Sequence, residues 1–379
     1  MEIDLDHKQL VGLYSPAQRQ LVIIAKALAE KVKLVIMDEP TSSLSEAEVR
    51  ILFTVLKKLQ KEGGTFMFIS HRLNEVIDLC NRITVMRNGE YIDTLDNAQR
   101  DLSMDFLTEK IVGKEVMKVT RPKEHRVKAG KVVLEVRNFS QERTGLKDIN
   151  FQLHQGEILG LAGLRGAGRT ELMRCIFGME PPDTGEILLD GKPVSLQKPI
   201  DAIQNGIGFL SEDRNESLYY THSIWVNITS VIIDRLQKFG LIKRKKCSDV
   251  AKRYKEELRI DAPSIYTEVF SLSGGNQQKV VFGRWLAATP RILFLDEPTK
   301  GIDVGAKVEI RRKILDMAAS GISVIFISLD FDELLMVSDR ILVMSRGRIV
   351  KELSGEEMTI ANIVKNINVY EKMDNRIII

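Results

Sequence analysis

Apolar residues recur along the chain in two rhythms. From Glu46 to Lys61 they fall at Val49, Leu52, Phe53, Leu56 and Leu59, the spacing of a helix with one buried face. Gly63-Gly64 closes that segment, and Phe66 to Ile69 follows as a short apolar run that reads as a buried strand. Leu21 to Leu28 predicts another helix, leading into a strand at Leu34 to Met37. Ile83 to Met86 and Tyr91 to Ile92 flank Asn88-Gly89 and predict a hairpin. Short apolar strands between amphipathic helices indicate an α/β domain.

The pattern then repeats, with Arg346-Gly347 at the second hairpin turn. S-P-A-Q-R-Q runs from Ser15 to Gln20 and V-I-M-D-E-P-T-S-S-L from Val35 to Leu44; S-G-G-N-Q-Q runs from Ser273 to Gln278 and L-F-L-D-E-P-T-K-G-I from Leu293 to Ile302. The offset is 273 − 15 = 258, and it carries Asp38 to Asp296, Ser70 to Ser328 and Gly89 to Gly347. A constant offset over about 75 residues marks an internal repeat, which decides architecture first. The expected organisation is a first copy over 1–112, a charged linker over 113–130, and a second copy over 131–379.

Only the second copy carries a glycine-rich loop, G-L-R-G-A-G-R-T from Gly163 to Thr170, between the strand Ile158 to Ala162 and a helix from Glu171 to Phe177. Its counterpart would fall at 163 − 258 = −95, so the first copy is expected to be incomplete, without a phosphate loop. The loop fits G-x-x-x-x-G-K-[ST] except for Arg169 at the lysine. Glycines such as Gly163, Gly166 and Gly168 let backbone N–H groups face phosphate oxygens, and the helix adds its positive end. Thr170 is expected to ligate Mg²⁺. A guanidinium keeps the charge of lysine but not its shape, so binding is expected to survive and phosphoryl transfer to suffer. Asp296 is expected to hold Mg²⁺ at a strand end and Glu297 to polarise the attacking water, with Asp38 and Glu39 as their counterparts. Ser273 and two glycines open a helix, an anion-binding start.

Composition narrows the class. Hydrophobic content of 44% and charged content of 28% describe a globular chain, and a net charge of +3 over 379 residues is too small to argue for nucleic acid. Cys80, Cys175 and Cys247 lack the spacing of a zinc or redox site, so a reducing compartment is expected. No run approaches the roughly 18 to 20 apolar residues that span a bilayer. The run K-R-K-K from Lys243 to Lys246 reads as a solvated helix face, with anionic lipid as the alternative contact.

L-S-G-G-N-Q-Q-K from Leu272 to Lys279, with the phosphate loop and D-E-P-T, resembles the signature set of ATP-binding cassette (ABC) ATPases, and it covers all of the second copy and the first from its own signature onward. The resemblance implies an α/β P-loop fold in tandem copies, with ATP and Mg²⁺ as ligands. N-Q-Q, G-A-G-R-T and S-E-D-R (Ser211 to Arg214) narrow it to the fused ATPases of bacterial monosaccharide importers of the ribose, galactose and xylose type. By that resemblance Glu212 stands at the Q-loop position, and Leu329 stands where the first copy has the switch histidine, His71. The first copy keeps Asp38, Glu39 and His71, but Pro16 and Ala17 follow Ser15 in its signature and Ser45 stands opposite Asp303. The resemblance implies a competent site joining Glu39, His71 and Asp38 to Ser273, Gly274, Gly275 and Gln277. It implies a degenerate one joining Arg169, Asp296 and Glu212 to Ser15.

The implied partners are two membrane-spanning permease subunits, contacted around Ser211 to Ile260, and indirectly a periplasmic or extracellular sugar-binding protein. The location is the cytoplasmic face of the membrane, as a peripheral subunit, and a homodimer is left open. Nucleosides are an alternative cargo, and an N-terminally shortened, non-catalytic remnant is an alternative identity. A tandem protein of ribosomes or DNA is disfavoured by Arg169 and the short linker.

Overall fold

The computed structural model describes residues 8–14, 16–29, 33–41, 44, 46–70, 72–87, 89–112, 121, 130–302 and 304–374. Ser15, Ser45, His71, Asp303 and all of the expected linker except Arg121 and Gly130 lie outside them. The chain forms two compact units, 1–117 and 118–379.

In the first unit, α1 (Pro16–Ala29), β1 (Leu34–Asp38), α2 (Glu46–Lys61), β2 (Thr65–Ile69), α3 (Leu73–Leu79), β3 (Arg82–Arg87), β4 (Glu90–Asp96) and α4 (Met104–Val112) follow in order. The helix at 46–61 and the strand at Leu34 are where the apolar spacing puts them, because both patterns are strong and end at turn residues. β1 pairs with β2 in parallel, and β3 with β4 antiparallel. Leu52 and Leu56 of α2 are fully buried against Met37 and Phe53.

The second unit has a larger core. β5 (Val132–Gln141) and β6 (Leu146–His154) lead to β7 (Ile158–Ala162) and α5 (Arg169–Ile176). Then come β8 (Thr184–Leu189), β9 (Lys192–Val194), α6 (Pro199–Gln204), β10 (Ile207–Leu210), α7 (Arg214–Ser217), α8 (Ile224–Thr229), β11 (Gln237–Lys238), β12 (Leu241–Ile242) and α9 (Arg244–Glu257). The signature helix α10 (Gly274–Ala287) precedes β13 (Ile292–Asp296), α11 (Val304–Ala319), β14 (Ser323–Ile327), α12 (Phe331–Val337), β15 (Arg340–Ser345), β16 (Arg348–Ser354) and α13 (Ile360–Asp374). The main sheet has the order β10-β13-β14-β7-β15-β16, parallel except for β16. Its inner strands β7, β13 and β14 are buried at every position, as expected of parallel strands covered on both faces. β6-β5-β8-β9 form a second, antiparallel sheet.

Subtracting 258 from β13, β14, β15 and β16 gives the bounds of β1, β2, β3 and β4, and the same holds for α10, α11 and α12 against α1, α2 and α3. The pairing registers agree too: Leu34 faces Thr65 as Ile292 faces Ser323, and both hairpins shift register at the same point, Val85/Met86 and Val343/Met344. Arg121 was expected in a linker, yet it is buried on the second unit. Its Nε lies 2.7 Å from Asp339 Oδ1, and its Nη2 donates to the Gly156 carbonyl at 2.9 Å. Among the described residues no helix is long and apolar enough to cross a membrane.

Candidate functional site

Parallel pairing brings the carboxyl ends of β7, β13 and β14 to one edge of the sheet, the edge where open α/β sheets bind ligands. β7 ends at Ala162 and the chain turns at once. A Cβ on Gly163 would lie 2.7 Å from the Met344 carbonyl oxygen and 2.8 Å from Ala167 Cβ, so only glycine lets the loop leave the strand there. Gly168 caps α5 at φ +98°, a backbone that L side chains rarely adopt. The turn of the β15–β16 hairpin braces the loop: Gly347 N–H donates to the Ala167 carbonyl at 3.0 Å.

The loop opens on a cleft of about 150 Å³ lined by Gly166, Gly168, Arg169, Thr170, Glu212, Asp296 and Glu297 among others. Six of the seven come from the loop and from Asp296-Glu297 at the end of β13; Glu212 follows β10. Asp296 is 1% exposed, and neither of its carboxylate oxygens has a hydrogen-bond partner. Burial pushes its pKa up to about 6, with Thr170 and Arg169 pulling the other way. Glu297 stands next to it at φ +48°, and its N–H donates to the Ile327 carbonyl at 3.0 Å, which fixes the turn. Burial pushes Glu297 up to about 7, against the opposing charge of Arg169. Its Oε1 is likewise without a partner. Arg169 is buried, its Nη1 donates to the Ser328 carbonyl at 3.4 Å, and burial lowers its pKa against the pull of Glu297 and Asp296. Two buried carboxyl groups with orphaned oxygens beside one guanidinium form a site short of positive charge. Thr170 and Asp296 are the donors a hard cation would find there, and the donor set fits Mg²⁺, which takes few protein ligands and completes its shell with phosphate and water. Among the described residues no cluster of three or more His, Cys, Asp or Glu forms a metal cage.

The signature residues do not line this cleft. Ser273 caps α10, its Oγ accepting from Asn276 N–H at 3.4 Å. Gly275 is buried, and Gln277 Nε2 donates to the carbonyls of Val269 and Leu272, holding the turn before the helix. The cleft and the signature are nonetheless joined through S-E-D-R. Glu212 lines the cleft and pairs with Lys300 at 2.5 Å, while Arg214 Nη1 donates to the Gly274 carbonyl at 2.9 Å. A Cβ at Gly274 would fall 2.6 Å from that nitrogen.

In the first unit Asp38 ends β1 and Glu39 follows at φ +46°, its N–H donating to the Ile69 carbonyl at 2.9 Å. Thr41 donates to Glu75 at 2.6 Å as Thr299 donates to Glu333 at 2.7 Å. Asp38 is exposed where Asp296 is buried. His71 and Ser15 lie outside the described residues. Sequence reasoning did not pick out Arg165, Ala167 and Glu171 as lining, nor Lys300, Arg214 and Gly347 as braces. The first three sit inside the quoted loop or beside it, so a reading of the whole loop would have found them.

Comparison with known proteins gives the chain its relatives. A family model described as ABC transporter matches residues 146–300. The chain is 41% identical over 367 residues, 97% of its length, to "Ribose import ATP-binding protein RbsA 2" of Mesorhizobium japonicum, and spans 71% of that protein. It is 44% identical over 355 residues to the "Putative ribose/galactose/methyl galactoside import ATP-binding protein 1" of Agrobacterium fabrum, covering 92% of this chain and 68% of that one. Its fold is similar to that of a nucleotide-free ATP-binding cassette from an ABC transporter, with a TM-score of 0.55 at 22% identity over 63% of this chain and 95% of the other.

Proposed function

The chain belongs to the ATP-binding proteins of ABC transporters, and from that membership we propose that it energises the import of a monosaccharide of the ribose or galactose class. It works as a peripheral subunit at the cytoplasmic face of the membrane, beneath two permease subunits that a sugar-binding protein supplies. The observation that carries the nucleotide part is the cleft itself. A glycine loop braced by Gly347 stands over two buried carboxyl groups, with both oxygens of Asp296 and Oε1 of Glu297 lacking hydrogen-bond partners.

In this reading the loop N–H groups and the start of α5 hold the β- and γ-phosphates. Thr170 and Asp296 hold Mg²⁺, which when bound would neutralise charge between those phosphates. Glu212, tethered by Lys300, lines the same cleft and would face the bound phosphates. We further read this cleft as one that binds ATP and turns it over slowly. Arg169 is buried with its fork turned to the Ser328 carbonyl, and Leu329 lines the rim where a proton-relaying histidine would be needed. The first unit is read as a second ABC half whose Asp38, Glu39 and His71 carry the chemistry. The support is the 258-residue correspondence of strands, registers and the Thr41–Glu75 bridge.

Calorimetry of the chain with Mg-ATP tests the binding. One site is expected, lost in Asp296→Asn and weakened in Thr170→Ala; two equivalent sites would sink the assignment. Turnover on the order of 1 s⁻¹ that Glu297→Gln abolishes would show the second unit's cleft to be fully competent.

A further inference from the structure

The nucleotide cleft leaves one exposed feature of the second unit unused. β11 and β12 form a hairpin in which Gln237 faces Ile242 and Lys238 faces Leu241. Its tip is Phe239-Gly240, at φ +52° and +77°. Two consecutive positive φ values make the tight turn that matches strand twist, and Asn-Gly or Asp-Gly is its usual sequence because short polar side chains tolerate that backbone. Here an aromatic residue occupies the disfavoured position and is 92% exposed, with Leu241 at 75% and Ile242 at 47% beside it. Phe239 packs on nothing of the apolar core, so folding does not explain its presence.

The charge around the tip is of one sign. Lys238 Nζ lies 5.4 Å from the Phe239 ring centroid. Lys243, Arg244, Lys245 and Lys246 follow β12, all exposed, and none of these five cations pairs with a carboxylate among the described residues. Residues 235–248 contain no Asp or Glu. Asp234, the nearest acid before them, accepts from Gln237 Nε2 at 3.0 Å. Arg235 is exposed too, with Nη1 donating to the Ala288 carbonyl. The tip is firmly mounted: Lys243 N–H donates to the Leu236 carbonyl at 2.9 Å, and Leu236 and Cys247 are buried in the core below.

We propose that this hairpin docks on an anionic lipid bilayer, with Phe239, Leu241 and Ile242 entering the interfacial layer while Lys238 and the 243–246 run bind lipid phosphates. An apolar wedge between flanking cations is the composition that binds an interface, since the apolar residues leave water and the long cationic side chains stay with the headgroups. The hairpin lies within the Ser211 to Ile260 stretch where the family resemblance puts permease contacts, but an apolar tip ringed by unpaired cations matches the apolar and phosphate layers of an anionic bilayer. The contact is independent of the nucleotide reading, since no residue of the cleft takes part.

The full chain is mixed with sucrose-loaded vesicles of phosphatidylcholine, alone or in equal parts with phosphatidylglycerol, and sedimented. The expected result is sedimentation with the anionic vesicles only, reduced at high salt. Phe239→Ser should weaken it several-fold, and glutamine at all four of Lys243, Arg244, Lys245 and Lys246 at least about tenfold. All these positions are exposed, and unchanged Mg-ATP binding would show that the variants are folded. Phe239→Trp, read against the unmodified chain with its own Trp225 and Trp285, should shift its emission to the blue on anionic vesicles. No sedimentation with anionic vesicles overturns the proposal. So does sedimentation indifferent to Phe239→Ser with no shift in Phe239→Trp, which would be plain charge adsorption. Retention on a polyglutamate resin without vesicle binding would overturn it in favour of an acidic protein surface.

Discussion

β1 with β2, and β13 with β14, are the same pair of strands by sequence offset, direction and register, yet they live in different surroundings. Phe294 and Ile325 are 0% exposed; their counterparts Ile36 and Met67 are 61% and 51% exposed. The cause is the neighbours. β13 lies between β10 and β14, β14 between β13 and β7, and β6 and α11 pack on β14. β1 and β2 have only each other as strand partners among the described residues. An apolar run therefore encodes a strand and its register, but how much of it leaves water depends on elements elsewhere in the chain.

The largest expected difference follows from burial alone. Phe294→Ala removes a fully buried ring and should cost the second unit about 3 to 5 kcal/mol. Ile36→Ala, at the matching position, should cost the first unit under about 1 kcal/mol. Amide exchange reads each unit separately, through β13 in one case and β1 in the other. Equal costs would mean that Ile36 is covered in solution, and the contrast between the strand pairs would fall.

A second contrast lies at the strand ends. Asp296 is raised from 3.8 to about 6 and Glu297 from 4.5 to about 7, both chiefly by burial. The folded state then holds protons that the unfolded state has released. Stability from this source is greatest below the ordinary carboxylate range and falls as pH rises from about 4 to 7, then levels. A shift of about two units corresponds to on the order of 3 kcal/mol, and the two groups share a cleft, so their effects do not add. Asp296→Asn should therefore stabilise the ligand-free second unit at pH 8, by on the order of 2 kcal/mol, and much less at pH 5. Saturating Mg²⁺ and ATP should close the gap by stabilising the unmodified chain alone. Asp38→Asn, at an exposed position, should change the first unit by no more than about 0.5 kcal/mol at either pH. Urea unfolding of each variant at the two pH values checks this; a less stable Asp296→Asn at pH 8 would contradict the burial argument.

Much of this was legible beforehand. The strands were, because continuous apolar runs bounded by turns are strong signals, and so was the loop, because its glycines stand between a strand and a helix. The pair Asp296-Glu297 was placed beside the loop by its motif and Glu212 by the resemblance to ABC ATPases, and all three line the cleft. What could not be read was partnership across long separations. Arg214 reaches Gly274 over 60 positions, and Gly347 braces Ala167 of the loop over 347 − 167 = 180 positions within the same unit. Arg121 sat in a run of charge that reads as solvated linker, and only the fold reveals the buried Asp339 that draws it in. The unequal burial of the twin strand pairs belongs to the same class, since residues identical in pattern differ only in what packs against them.

The smallest expected effect concerns a polar bridge that both units share. Thr299 Oγ1 donates to Glu333 Oε2 at 2.7 Å, and Ser328 Oγ donates to the same oxygen at 3.0 Å. Glu333 is 2% exposed, so water cannot replace a donor that is removed. Thr299→Val keeps the shape and deletes the hydroxyl, which should cost the second unit about 2 kcal/mol, the range for a hydrogen bond to a buried charged group. In the first unit Thr41 is as buried, but Glu75 keeps 11% of its side-chain surface in water and accepts from Arg72 Nη1 at 3.0 Å. Thr41→Val leaves that carboxylate with a cation and with solvent, so it should cost about 1 kcal/mol or less. Amide exchange in α12 and α3, the helices that carry Glu333 and Glu75, reports the two costs. Equal losses would mean that the bridge is worth the same wherever its geometry recurs, and burial would then not be what separates the two units.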